Sequence, residues 1–267
     1  MRIDELNEVI TPLARPVKVR VMVPDGYENG GERYPVMYIN DGQDVFRDDQ
    51  TFWNCESLRF EQYYRDYGKF VPRVILVAIA SPDVQSVRTA QYSPYTKDFV
   101  IPEGKTFEPH IDGKGKEYLE WMTKELKPKI DAAYRTLPDP ANTAICGYST
   151  GALNAIYAIL AYPQVFTRII AMSSAVCIWM DKLEETMNAA DYSHITRMYL
   201  DVGTNEFGRM TTAEEFLAGT ENIRSIFAKK MKDPTQLKYL VHPGVVHSQK
   251  ELRWRFPDAF RWVFIDG

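Results

Sequence analysis

The pentapeptide Gly147-Tyr148-Ser149-Thr150-Gly151 sets a hydroxyl nucleophile between two glycines where the sequence pattern changes. An apolar run, "TAIC", ends just before it, and a longer apolar stretch, "ALNAIYAILAY", begins just after. A chain that turns from strand to helix within about five residues strains the middle residue and demands small neighbours, which Gly147 and Gly151 supply. Ser149 is then thrust out at the carboxyl end of the strand, facing the free N–H groups and positive dipole end of the following helix. The pattern reads as a nucleophile elbow.

A serine hydroxyl needs a base to take its proton and an acid to orient that base. The chain has four histidines, His110, His194, His242 and His247. Where a serine is presented on such an elbow, the acid and then the histidine follow it in the chain, which leaves the last three. His194 precedes a predicted strand and suits a surface or capping position. His242 and His247 flank "PGVV" after the strand "LKYLV"; His242 belongs to the strand end, so position favours His247, on the loop before the final helix. For the acid, "MYLDVGTNEFG" offers Asp201, mid-strand and suited to a structural hydrogen bond, and Glu206, on the loop beyond the strand's carboxyl end. Position favours Glu206. An oxyanion formed on attack by Ser149 needs two backbone donors. Thr150 N–H is one, and Gln43 N–H, in the loop "DGQDVF" that Gly42 lets approach closely, is nominated as the other.

Positioning these groups takes a sizeable sheet. The 267 residues, 45% of them apolar, suffice for a large core in one domain spanning 1–267. A net charge of -4, from 32 basic and 36 acidic residues without long single-sign runs, gives no footprint for nucleic acid or an anionic membrane. The N-terminal "MRIDELNEVITPLARPVKV" lacks the apolar stretch of a secretory signal, and no later segment approaches transmembrane length, so a cytoplasmic protein is expected. Cys55, Cys146 and Cys177 form no CxxC pair and suit a reducing compartment rather than a disulfide framework or a metal site.

Strand-length apolar runs alternate with longer amphipathic stretches, which predicts an α/β fold. "VKVRVMVP", from Val17, alternates with period two and reads as an antiparallel edge strand. "YPVMYIN" (34–40) and "RVILVAIA" (73–80) read as central strands covered on both faces. A helix is predicted over 116–134, interrupted and kinked at Pro128. Strands at "TAIC", "RIIAMSS", "RMYLDVGT" and "LKYLVHP", and helices after Ser149, over 212–230 and over 249–264, complete a doubly wound sheet with helices on both faces. Sites in such sheets lie beyond the carboxyl ends of the strands.

Four ordered segments, "RYPVMYINDGQDVF", "GYSTGALNAIYAILAYPQVF", "YLDVGTNE" and "HSQKELRWRFPDAFRWVF", together resemble the putative-esterase branch of the α/β-hydrolase superfamily. That branch includes esterase D, feruloyl and enterochelin-type esterases and mycolyltransferases. The likeness runs from about Val17 to the C-terminus. It implies an α/β-hydrolase fold, with Ser149 as nucleophile, Glu206 as acid and His247 as base. It further implies a small-molecule ester substrate and chemistry that needs no cofactor or metal. The chain has Thr150-Gly151-Ala152 where the family often has M-G-G, and Asp41-Gly42 where it often has H-G; neither change removes a backbone donor. Trp179, after the strand next to the elbow, and Arg88 and Tyr92, after another strand end, are nominated as substrate-binding residues. Acyl transfer to a sugar or other alcohol by the same residues, and a non-catalytic binding module on a hydrolase scaffold, are the rival readings.

Overall fold

The structure is a computed structural model and describes residues 1–52 and 55–265; the domain boundary expected at residue 267 lies outside them. Its main elements run β1 (Arg2–Ile10), β2 (Arg15–Val23), β3 (Val36–Asn40), α1 (Phe60–Tyr67), β4 (Ile75–Ile79) and α2 (Gln85–Tyr92). A short ladder of β5 (Lys97–Asp98) and β6 (His110–Ile111) precedes α3 (Gly115–Trp121) and α4 (Lys127–Ala133). The elbow joins β7 (Thr143–Tyr148) to α5 (Thr150–Ala161), and β8 (Arg168–Met172) leads to α6 (Met180–Ala189). The chain ends with β9 (Arg197–Asn205), α7 (Ala213–Lys230), β10 (Leu237–Val246) and α8 (Gln249–Phe264).

The main sheet has eight strands in the order β1-β2-β4-β3-β7-β8-β9-β10. All pairings from β4 to β10 are parallel, while β1–β2 and β2–β4 are antiparallel. Alternate strand residues face opposite layers, as the pleat requires. Val36 and Tyr38 pack under α3, α4 and α5, whereas Met37 and Ile39 pack with Phe60 of α1 and with Phe256 and Phe260 of α8. Helix α5 follows the elbow and is buried nearly all round, as its unbroken apolar sequence requires. Apart from its N-terminal edge, this is the expected doubly wound, mostly parallel sheet.

Two expectations need correction. The strand containing Val17 is not at the edge, because β1 lies outside it with Ile10 paired to Arg15 and Arg2 to Val23. In β1 the apolar Ile3, Leu6 and Val9 recur every third residue rather than every second, which hides a strand from a pattern search. Its carboxylates instead face cations of β2 and the helical layer: Glu5 pairs with Lys18 and Arg20, and Glu8 with Lys129. A charged outer strand of this kind discourages edge-to-edge pairing with another chain. The helix over 116–134 is also not a single kinked α-helix. A π-helical segment, Met122–Leu126, separates α3 from α4 and places Pro128 in the first turn of α4. There the missing proline N–H does the least harm.

Candidate active site

Ser149 sits between β7 and α5 with φ 57° and ψ -124°, a conformation that costs a non-glycine residue about 1–3 kcal/mol. Its backbone is fixed from both sides: Ser149 N donates to Met172 O of β8 (3.2 Å), and Ser149 O accepts from Ala152 N (3.1 Å) and Ala175 N (3.2 Å). A Cβ on Gly147 would lie 2.0 Å from Gly151 O, so the elbow cannot form with any other residue there. The end of β3 holds the helix in place, since Asn40 Nδ2 donates to Gly151 O (3.0 Å) while Asn40 Oδ1 accepts from Tyr118 Oη (2.9 Å).

His247 follows the last residue of β10. Residue pairing runs from His242–Gly203 to Val246–Asn205, four steps along β10 against two along β9. The extra residues form a bulge containing Gly244 (φ 74°), and such a bulge re-aims the side chain beyond it. A Cβ on Gly203 would lie 2.3 Å from Val245 O, so the close approach of the two strands requires glycine. His247 Nε2 lies 3.0 Å from Ser149 Oγ, and Nδ1 lies 2.7 Å from Glu206 Oε2. The imidazole is sandwiched by aromatic rings, stacked on Tyr148 at 4.8 Å and edge-on to Phe216 at 5.3 Å.

Glu206 is the first residue past β9 and is wholly buried. Its Oε1 accepts from Gly203 N (2.6 Å) and Ser173 Oγ (2.7 Å), and Arg255 Nη1 lies 3.5 Å away. Burial disfavours the charged carboxylate, but the His247 imidazole, the Ser173 hydroxyl and the Arg255 guanidinium outweigh it and hold the acid below its ordinary range. The rival acid and rival base lie together elsewhere. Asp201 faces Arg255 (Nη1–Oδ1 3.0 Å) and accepts from Tyr199 Oη (3.1 Å), and His242 Nε2 lies 3.5 Å from Asp201 Oδ2. Of the other histidines, His194 Nε2 donates to Ile159 O (2.7 Å) and His110 pairs with Asp98 in the β5–β6 ladder.

Beyond β3, the single helical turn Gly42–Asp44 approaches β4 so closely that a Cβ on Gly42 would lie 2.3 Å from the Ala78 carbonyl carbon. The Gln43 side chain turns back to Ser81, accepting from its N (2.9 Å) and donating to its Oγ (3.1 Å). Asp41 accepts both Nε (2.6 Å) and Nη2 (2.7 Å) of buried Arg88. Asp44, also buried, has its carboxyl pushed up to about 7 by burial and by the neighbouring charge of Asp41.

A cavity of about 420 Å³ opens over Ser149 and His247. Phe107, Trp179, Phe207 and Phe216 supply its apolar wall, and Asp44, Arg88, Arg209 and Gln249 add polar groups. Trp179 and Thr150 both line the cavity. Arg88 lines it too, but its guanidinium is committed to Asp41. Tyr92 does not line it: the ring is wholly buried and its Oη accepts from Asp41 N (2.8 Å), so this residue fixes the β3 loop instead of meeting a ligand. Among the described residues no group of three or more His, Cys, Asp or Glu side chains is placed to hold a metal ion.

Sequence reasoning missed Asn40, Asp44, Ser173 and Arg255. Arg255 left a trace, a charge in the stripe that Leu252, Phe256, Ala259, Phe260 and Val263 bury along α8. Asn40 left another, a polar residue closing an otherwise apolar strand.

The sequence model of the Esterase family, described as putative esterase, matches residues 10–262. The uncharacterized protein YbbA of Bacillus subtilis is 24% identical over 247 residues, spanning 91% of this chain and 90% of that protein. Among solved structures, an IroE-like serine hydrolase from Shewanella oneidensis superposes with a TM-score of 0.75 at 20% identity, covering 99% of this chain and 81% of that one. The siderophore hydrolase EstA from Aspergillus nidulans superposes with a TM-score of 0.72 at 17% identity, covering 97% and 94%. Likeness at these identities shows a shared fold, that of the α/β-hydrolases.

Proposed function

Because the chain belongs to the putative-esterase family, we propose that it is a serine hydrolase that cleaves small-molecule carboxylic esters through an acyl-enzyme on Ser149. One observation carries this reading: an unbroken line of contacts from Ser149 Oγ through the His247 ring (3.0 Å) to Glu206 (2.7 Å), at the floor of a cavity. The cavity volume of about 420 Å³ lies within the range of small-ligand sites.

In this mechanism Ser149 Oγ attacks the ester carbonyl carbon while its proton passes to His247 Nε2. Glu206, kept ionised by its donors, accepts from Nδ1–H, fixes the tautomer and stabilises the imidazolium. The carbonyl oxygen becomes an oxyanion held by Thr150 N–H at the start of α5 and by Gln43 N–H, each donor worth about 3–4 kcal/mol. Collapse breaks the C–O bond, and His247 returns the proton to the leaving alkoxide. Water then attacks the acyl-enzyme, His247 taking its proton and delivering it to Ser149 Oγ as the acyl–Oγ bond breaks and the carboxylic acid leaves. A cytoplasmic location fits the free Cys55, Cys146 and Cys177, and among the described residues no helix is long and apolar enough to cross a membrane.

Turnover of p-nitrophenyl acetate, with and without added alcohols, tests the reading. Release of p-nitrophenol and acetate by the parent, with at least a thousandfold loss in Ser149→Ala, is expected. Failure to turn over a panel of p-nitrophenyl esters would count against it, and acetate recovered mainly on the added alcohol would point to acyl transfer.

A further inference from the structure

The proposed chemistry requires Glu206 to present one carboxylate oxygen, Oε2, to His247 throughout the cycle. An isolated carboxylate rotates and exchanges its oxygens, so something must grip the other one. Two donors reach Oε1, the Gly203 backbone N (2.6 Å) and Ser173 Oγ (2.7 Å), and Ser173 Oγ itself accepts from Arg255 Nη2 (2.9 Å). Arg255 is rooted in its own helix by Nε donating to Glu251 O (3.1 Å), and its Nη1 stands between Asp201 Oδ1 (3.0 Å) and Glu206 Oε1 (3.5 Å). We infer that Ser173 and Arg255 are positioning residues, which clamp Oε1 of Glu206 so that Oε2 stays turned to His247 and the base keeps its working basicity.

Two features argue that the arrangement does more than fill space. Ser173 has φ 48°, in the left-handed region where glycine would be the unstrained residue. From that conformation its hydroxyl meets both Glu206 and Arg255. The Arg255 side chain is wholly excluded from solvent yet faces two buried carboxylates, so it sets the charge felt by the nearby imidazole and does not merely neutralise one partner. A cation at this place raises the cost of forming imidazolium. The remaining groups around His247 are the Tyr148 and Phe216 rings packed on it, Asp44, Arg88 and Arg209 on the cavity wall, and Asp201 behind Arg255.

The inference rests on the serine-hydrolase reading. Its test is the pH profile of kcat/KM for p-nitrophenyl acetate in the parent, Ser173→Ala, Arg255→Lys and the charge-balanced pair Arg255→Met with Asp201→Asn, with circular dichroism to establish folding. Loss of the Ser173 donor should lower kcat about ten- to hundredfold, the scale of one hydrogen bond to a charged group, with KM nearly unchanged. Glu206 becomes more basic without that donor, so the acid limb should move to higher pH by about half a unit or more. The paired variant should move it further in the same direction, and Arg255→Lys should keep it near the parent. A folded Ser173→Ala with the parent's limb, whether or not kcat falls, overturns the inference; this holds even if the paired variant does not fold. Fluorophosphonate labelling separates the two failures. A parent not labelled at Ser149 ends the underlying reading and the inference with it, whereas a labelled parent with unmoved variants ends the inference alone.

Discussion

Two corners of the sheet carry the same three charges to opposite effect. At the end of β3, Asp41, Asp44 and Arg88 are buried together; at β9 and the residue past its end, Asp201, Glu206 and Arg255 are. Arg88 commits both arms of its fork to Asp41 (2.6 and 2.7 Å). At Asp44 burial and a like charge outweigh the Gln249 donor (3.4 Å), and its carboxyl rises to about 7. Arg255 stands between its two carboxylates, and with His247 and Ser173 it keeps Glu206 ionised although burial opposes this. A buried carboxylate beside an arginine is thus not a charge by default. Only the β9 corner leaves its second carboxylate anionic, and that one faces the imidazole that meets Ser149.

The largest effect should come from separating the two histidines beside that corner. His247→Ala is expected to lower kcat about a million-fold, the scale of losing a member of a catalytic unit, while His242→Ala keeps most of the activity; esterase kinetics on both variants decides it. Exchanging the acids sharpens the contrast. Glu206→Gln should slow kcat about a thousand- to ten-thousandfold in a protein that still folds. Asp201→Asn should act through stability instead, by about 3–5 kcal/mol in denaturant titration, because it strips Arg255 of its nearer partner. A large kcat loss in Asp201→Asn with stability intact would reverse the roles of the two carboxylates.

The smallest effect tests the β3 corner. A folded-state pKa near 7 against an unfolded value near 3.8 means that the native protein holds a proton on Asp44 which the unfolded chain gives up. Stability should therefore fall as pH rises from about 4 to about 7, the reverse of the usual carboxylate behaviour. Asp44→Asn removes that loss. Three units at about 1.4 kcal/mol each bound the gain at about 4 kcal/mol, and incomplete hydrogen bonding of the buried amide should reduce it to about 1–2 kcal/mol at pH 8, with no gain at pH 5. Equal stability changes at both pH values would mean that Asp44 is already ionised. Glu206 should show the ordinary sign, its contribution being present above its unfolded pKa and lost as acid titrates the folded protein.

The sequence made the elbow legible because its constraints are local: a strand, two glycines and an apolar helix leave Ser149 few conformations. The order of elements placed Glu206 and His247 at strand ends that the parallel sheet brings to one edge, within hydrogen-bond distance of each other. Helix α7 was readable over 212–230, and the structure closes its start with a reciprocal cap between Thr212 and Glu215. What could not be read depended on distant parts of the chain meeting. Ser173 and Arg255 are 82 residues apart, and Asp44 and Gln249 are 205 apart, so neither pair has a local signature. Tyr92 was misplaced for a related reason. It follows a strand end, where sites lie, but the Asp41 backbone engages its hydroxyl first. Strand β1 escaped notice because its charges are satisfied by partners on β2 and α4 that its own sequence does not reveal.

The central claim is covalent, and a mass measurement reaches it directly. Protein quenched in acid during turnover of a p-nitrophenyl ester, digested and mapped, should carry one acyl group on the peptide containing Ser149, accumulating when Glu206→Gln slows deacylation and absent from Ser149→Ala. An acyl group on another residue, or undiminished turnover by Ser149→Ala, would contradict the account.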